Sequence, residues 1–469
     1  MLKLNLKKKN QKPFSPRPPI VTILGHVDHG KTTLLDAIRH SNIAGREAGG
    51  ITQSIGASKV KTKEGEITFI DTPGHAMFSK MRSRGTQMAD IVVLVVAADD
   101  GVKPQTKEAL QYIKETHTPL IVAITKTDLP SANIESAISE LEKEGVLFEG
   151  RGGDTPLVTL SVKKNEGVEN LIEMIHLVSQ VNEISSDPDG DLEAVVIETN
   201  TDKRGSTVSL VVKEGSISTG DIIDDIKKDK VRGIFDYLGK PIKKAFPGDP
   251  VQIIGLNGVP AVGSSITSKG VNLSIDKTKI GKVSSDQLGI VLKAHTAGSL
   301  EAIRDNMPDQ VVVLKSSVGD VISGDVFFAK SAQAVIVAFE SGVSSDVRKL
   351  SETEGVKILS SRIVYELIEK LEELIEKGEV QILGKAEVLA VFPFNNSRVA
   401  GCKVIEGEIR SKHTLVLTRG KGELGTARIV SMKRGKENIE VAKVGEECGL
   451  ILNPQLDFEV HDVLVSRQS

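Results

Sequence analysis

A chain of 469 residues, 39% apolar and 26% charged, is too long for one hydrophobic core and suits three or four domains at roughly 150 residues each. The formal net charge of −3 excludes a uniformly basic nucleic-acid-coating protein while leaving local basic patches open, and the near-absence of aromatics (3%, no Trp) predicts aliphatic cores. Two cysteines, Cys402 and Cys448, are too few for a disulfide framework and lack CxxC spacing; with no long apolar run for a membrane span or a signal peptide, the chain reads as cytoplasmic, without a membrane partner.

In chain order, residues 1–17 are Lys-rich and punctuated by Pro13 and Pro16, and read as a disordered basic arm. From 18 to 184, short apolar runs (Ile20 to Leu24, Thr68 to Ile70, Ile91 to Ala97, Leu120 to Ile124, Leu157 to Leu160) alternate with helical patterns that include Thr33 to His40, Pro104 to Thr116 and Ile134 to Lys143. That alternation predicts a doubly wound α/β domain. The polar cluster Ser185 to Asp191 breaks it, and the Gly-punctuated alternating strands of 190–275 predict a β-barrel. A small α/β sandwich is expected over 281–362. Over 363–378, Ile363, Leu367, Leu371 and Leu374 recur at spacings of three and four, which predicts one amphipathic helix, core-packed or connecting. Short strands over 379–469 predict a second, terminal β-barrel.

Gly25-His26-Val27-Asp28-His29-Gly30-Lys31-Thr32 fits GxxxxGK[ST] between a strand and a helix. Its glycines let backbone N–H groups wrap phosphates, Lys31 reaches the β- and γ-phosphates, and Thr32 offers its hydroxyl to Mg²⁺, with Thr33 following. Asp71-Thr72-Pro73-Gly74-His75 closes the next apolar strand, where Asp71 can hold Mg²⁺ through water and the Gly74 N–H can sense the γ-phosphate. The two loops should meet at the carboxyl edge of one sheet. Between them, Gly49 to Gln53 supplies a loop whose Thr52 is a candidate second Mg²⁺ ligand or simply a surface turn. Thr125-Lys126-Thr127-Asp128 ends another strand; Asp128 can accept from guanine N1–H and the exocyclic amine, a pair adenine cannot make. Ser161-Val162-Lys163 follows the last strand and would complete the base pocket. The expected ligands are GTP or GDP with Mg²⁺.

These loops resemble those of the translational GTPases, and the resemblance places His75 at the position that orients the attacking water once the ribosome docks. Thr125 stands where that base-binding motif normally begins with Asn. Within the group the chain resembles bacterial translation initiation factor two, through Pro16 to Thr32, Glu47 to Gln53, Lys230-Val231-Arg232, Gly255 to Pro260, Gly298 to Ala302, Val399 to Cys402 and Gly445 to Gly449. The resemblance implies a ribosome-stimulated GTPase, monomeric in solution, that places formylmethionyl initiator tRNA on the small ribosomal subunit and recruits the large one. It also makes Cys402, Lys433, Arg434, Glu447, Cys448 and Gly449 candidates for the tRNA-end pocket. From the residues alone, the two cysteines read equally as small buried apolar groups, and Lys433 to Lys436 as a solvated basic loop. Departures are His295-Thr296-Ala297 before Gly298, where the family usually carries an acidic residue, and His461-Asp462 in place of a Gly-Asp turn. The arm before the first strand is short, so contacts made by a long extension are expected to be absent or reduced.

Overall fold

In a computed structural model the described residues are 15–39, 55–202, 205–224, 229–256, 260–267, 270–271, 287–376, 382–394, 397–411, 413–419, 422–435 and 437–467. The chain divides into two compact units, Met1–Ile368 and Glu369–Ser469. Among the described residues, no helix is long and apolar enough to cross a membrane.

The first unit opens with a six-stranded sheet, ordered Gly56–Lys61, Glu66–Asp71, Ile20–Gly25, Ile91–Ala97, Leu120–Thr125, Leu157–Thr159. All neighbours are parallel except the first pair, which is antiparallel. Both central strands, Ile20–Gly25 and Ile91–Ala97, are wholly buried, as continuous β-branched runs covered on both faces should be. One face holds Val21 and Ile23 against Leu34, Leu35 and Leu171. The other holds Leu24 and Leu94 against Ala109, Leu110 and Leu141. The covering helices are α1 (Lys31–Arg39), α2 (Ser79–Met88), α3 (Pro104–Thr116), α4 (Ile134–Lys143) and α5 (Val168–Val181). Edge strand Gly56–Lys61, which pairs in full register with Glu66–Asp71, was not read from the sequence.

Two readings change at the ends of this module. Ser15 and Pro16, assigned to the disordered arm, pair antiparallel with Ser186 and Ser185 of the supposed breaker cluster. Arg17 then makes two bonds to Asp90, at 2.6 and 2.8 Å. Asp90 also accepts from the Ile20 N–H at 2.8 Å, so one half-buried carboxylate anchors the chain as it enters the sheet. Composition favoured disorder, and a specific non-local ion pair overrides it. The rest of the arm, residues 1–14, lies outside the described residues.

Beyond Ser186 a seven-stranded antiparallel sheet, from Pro241–Ile242 at one edge to Gly270–Val271 at the other, and two two-stranded ribbons surround one aliphatic core that includes Val196, Val208, Leu210 and Ile253. A four-stranded parallel sheet follows, ordered Val311–Val318, Leu288–Ala294, Val335–Phe339, Ile358–Ser361. Its connections are α6 (Ala297–Asp305), α7 (Ser323–Ser331) and α8 (Ser345–Glu354). Helix α9 (Val364–Glu376) then carries the chain across the division between the units, with Leu367 and Leu371 fully buried, as the heptad-like spacing predicts.

The second unit contains a closed six-strand β-barrel, in which Ile382–Phe394, Val463–Arg467, Thr414–Arg419, Gly422–Arg434, Glu447–Asn453 and Ser397–Arg410 pair in a ring. Its core is built from Ala386, Val388, Leu415, Leu450, Phe458 and Leu464, among others.

Candidate nucleotide cleft and barrel groove

Strand Ile20–Gly25 delivers the chain into its first loop through a glycine that tolerates no side chain. Gly25 has φ +149°, and a Cβ there would lie 2.3 Å from the Val95 carbonyl oxygen of the neighbouring strand. The loop turns at Asp28 (φ 62°) and Gly30 (φ 91°) and ends where α1 begins at Lys31. The first-turn N–H groups and positive dipole end of that helix face the loop, a ready anion site. Several bonds hold the loop in shape. The Val27 N–H donates to Gln105 Oε1 at 3.1 Å, and Lys31 Nζ donates to the His26 carbonyl at 2.5 Å. His29 is buried, its Nε2 3.3 Å from Asp100 Oδ2 and its Nδ1 3.4 Å from the Val95 carbonyl. Burial pushes the His29 pKa down against the pull of Asp100, so the imidazole is neutral at pH 7.

Burial likewise pushes the Lys31 ammonium down to about 8, opposed by the Asp71 carboxylate. Lys31 abuts Gly74, where a Cβ would come within 2.4 Å of Nζ, so the first two loops meet at the end of the sheet. Asp71 is the buried last residue of its strand. His75 begins the short 3₁₀ turn Ala76–Phe78, and its Nδ1 accepts from the Met77 N–H at 3.2 Å. Burial, then the Arg82 charge, lowers its pKa.

The sequence did not single out what fixes this second loop. Arg82, 1% exposed, donates to the carbonyls of Pro73, at 3.2 Å, and His75, and pairs with Glu108 at 2.7 Å. Ser79 Oγ and Tyr112 Oη donate to the same carboxylate. A helical Arg with a Glu on the next helix carries no motif; only the paired placement of α2 and α3 reveals it.

Thr125 stands at the end of strand Leu120–Thr125, and its buried hydroxyl donates to the His29 carbonyl at 2.7 Å, so the substituted position fastens the base loop to the phosphate loop. Asp128 accepts from Ser161 Oγ at 2.7 Å, the bond that chiefly lowers its pKa and keeps it ionised for amide-like donors.

These loops enclose a cleft of about 360 Å³. Val27, Asp28, Gly30, Lys31, Thr32, Thr33, Gly74, Thr125, Lys126, Asp128, Val162 and Lys163 line it, with Thr72 and Leu129, which the sequence did not single out. Gly25, His26, His29, Asp71, His75 and Ser161 are not lining residues; Gly25, His29, Asp71 and Ser161 are buried. Thr52 lies outside the described residues. The donors at hand for a cation, the Thr32 hydroxyl and the Asp71 carboxylate, are hard oxygens, which suit a small divalent ion that takes its other ligands from phosphate and water. Adjacent backbone N–H groups, the lysines Lys31, Lys126 and Lys163 and a carboxylate base-reader equip the cleft to bind a purine nucleoside polyphosphate.

A second concavity lies in the barrel unit. Cross-strand register sets Cys402 opposite Cys448, Gly401 opposite Gly449 and Lys403 opposite Glu447, with Lys433 also opposite Gly449. Cys402, Lys433, Arg434, Glu447, Cys448 and Gly449 therefore line one groove, of about 750 Å³, beside the exposed apolar side chains of Leu389 and Phe392. Burial raises both thiols, Cys448 to about 11, so they present a neutral, apolar surface. Arg434 pairs with Glu446 at 2.5 Å at the rim. A lining of apolar side chains with Lys433 and Arg434 beside it suits an apolar group attached to an anionic chain.

Three family models match consecutive parts of the chain. They are the Elongation factor Tu GTP binding domain over residues 17–180, Elongation factor G domain 2 over 191–269, and Translation-initiation factor 2 over 265–372. Translation initiation factor IF-2 of Thermotoga sp. (strain RQ2) is 39% identical over 95% of this chain and 70% of its own length. The protein of the same name from Francisella tularensis subsp. holarctica (strain LVS) is 40% identical over 92% of this chain and 56% of its own. Among solved structures, GDP-bound aIF5B from Aeropyrum pernix aligns over 96% of this chain and 92% of its own, at 27% identity and a TM-score of 0.44.

Proposed function

The chain belongs to the translation initiation factor IF-2 family and is a translation initiation GTPase that binds guanine nucleotide and hydrolyses GTP; from that premise we propose that it carries formylmethionyl initiator tRNA to the small ribosomal subunit and promotes joining of the large one. In this reading it works in the cytoplasm as a monomer. The observation that carries the nucleotide part is the convergence of three sequence-distant loops on one cleft, with Lys31, Gly74 and Asp128 as its contact points.

The mechanism is one of positioning and charge. Backbone N–H groups from Gly25 to Thr32 cradle the phosphates, and Lys31 stabilises charge that develops on the β–γ bridge as it breaks. Asp128, held ionised by Ser161, selects guanine through its two donors. Thr32, Thr52 and, through water, Asp71 would hold Mg²⁺, which neutralises phosphate charge when bound. On activation His75 uses its second nitrogen, Nε2, to orient the attacking water, Nδ1 being the atom that accepts from the Met77 N–H in this structure. Both its burial and the neighbouring Arg82 favour the neutral imidazole, in which Nδ1 accepts and Nε2 carries the proton that it donates to the water oxygen.

In the barrel, the groove beside Cys402 and Cys448 takes the formylmethionyl group, and Lys433 and Arg434 take the terminal phosphate or ribose. Glu447 and Gly449 complete the walls. The assay measures GTP hydrolysis with and without ribosomes alongside binding of formylated and unformylated initiator tRNA. Stimulation by ribosomes and preference for the formylated form are expected. Equal binding of the two would remove the groove assignment. Equal subunit joining with a nonhydrolysable GTP analogue would recast the protein as a nucleotide-gated carrier.

A further inference from the structure

The turn that carries His75 is gripped from both sides by the α/β sandwich. On one side, α6 is ion-paired to α2. Arg84 reaches Glu301 with two bonds of 2.6 and 3.0 Å, and Lys80 reaches Glu301 at 3.2 Å and Asp305 at 2.6 Å. On the other, the Tyr365 ring at the start of α9 stands edge-on to the His75 imidazole, with centroids 4.3 Å apart and planes at 85°. Phe78 meets the same imidazole at 6.2 Å and 77°. The start of α9 belongs rigidly to the sandwich, because Ser361, the last residue of its edge strand, accepts from the Ile363 N–H and donates to Glu366 at 2.8 Å.

We propose that Tyr365 is a positioning residue that parks His75, its phenol ring holding the imidazole against Phe78 until the sandwich shifts and frees Nε2 to reach the water. The proposal rests on the role assigned to His75 above. The contact is well placed for this. Tyr365 is 42% exposed, so its ring is not a core-filling element, and it meets the imidazole edge-on. His75 Nδ1 accepts from the Met77 N–H of its own turn, and that bond and the two ring neighbours together hold the imidazole in one rotamer. An edge-on aromatic pair carries enough energy to bias one rotamer and little enough to be undone by a domain movement. The sandwich thereby acts on hydrolysis without touching nucleotide.

The test uses full-length protein with ¹³C-labelled histidine, the His75 resonance being assigned by its loss in His75→Ala. A ring-current displacement of that resonance is expected in the wild type and in Tyr365→Phe, and is expected to collapse in Tyr365→Ala. GTP hydrolysis without ribosomes should rise roughly fivefold in Tyr365→Ala, the population gain from losing one aromatic pair, with KM for GTP unchanged. Tyr365→Phe, which keeps the ring, should behave as the wild type. A resonance that does not move in Tyr365→Ala overturns the contact. A resonance that moves while hydrolysis stays at the wild-type level, or falls, overturns the parking role. If His75→Ala retains full ribosome-stimulated hydrolysis, the role of His75 fails and the parking role with it, while the resonance still reports the contact by itself.

Discussion

The nucleotide cleft and the barrel groove are built in opposite ways. Each wall of the cleft is a short consecutive run at the end of a parallel strand, so spacing within the run already encodes its chemistry. The groove is assembled by register, with Cys402 and Cys448, forty-six positions apart, brought face to face by antiparallel pairing. The cleft works through fixed N–H groups and lysine ammonium groups, whereas the groove is walled by cysteines, glycines and larger apolar side chains and carries Lys433, Arg434 and Glu447. Damage to the cleft should therefore appear in hydrolysis, and damage to the groove in tRNA binding.

The largest effect should come from His75→Ala, with ribosome-stimulated hydrolysis falling about a thousandfold, within the range for lost acid–base or water-positioning groups. Single-turnover hydrolysis and fluorescent-nucleotide binding read the two arms, and nucleotide affinity should hold. Next, Arg82→Ala leaves Glu108 without its cation and takes one donor from each of two loop carbonyls, at a cost of about 3 kcal/mol in urea unfolding. A loss under about 1 kcal/mol would show that the clamp is dispensable. Cys402→Leu narrows the groove and should weaken formylated initiator tRNA by roughly tenfold while hydrolysis is unchanged, which would separate the two regions cleanly; parallel loss of both would break the comparison.

A pH series on nucleotide binding sharpens it further. The Lys31 pKa is depressed to about 8, so its ammonium is lost as pH rises through that value. Affinity should hold below it and fall by up to about tenfold per pH unit above it, moderated where bound phosphate restores the charge. The smallest change is expected of Thr125→Val, which removes the bond to the His29 carbonyl and should cost about 1 kcal/mol, or about fivefold in nucleotide affinity. An unchanged affinity would mean that the latch between the loops carries no weight.

The same contrast explains what the sequence revealed. The parallel strands, the loops from Gly25 and Asp71, and the spacing of Leu367 and Leu371 are local patterns, and the structure contains strands and a helix at those places. Strand Gly56–Lys61 was invisible because an exposed edge strand rich in Lys and Ser lacks a strong alternation. Arg82 with Glu108, Thr125 with His29, and Tyr365 with His75 are non-local contacts that no spacing rule anticipates. The groove was reached through resemblance rather than residue chemistry, since two isolated cysteines and a basic run do not announce a common surface.

The closure of the six-strand barrel has a consequence for handling and evolution. Within the ring none of the six strands leaves an open edge on which another chain can template itself, while the short strands Glu437–Asn438 and Val441–Lys443 lie outside it, each paired on one side among the described residues. The unit from Glu369 onward should thus survive excision as an independent fold. Such a self-sealed module can be inherited, swapped or lost as a single block, leaving the catalytic half to evolve under separate selection.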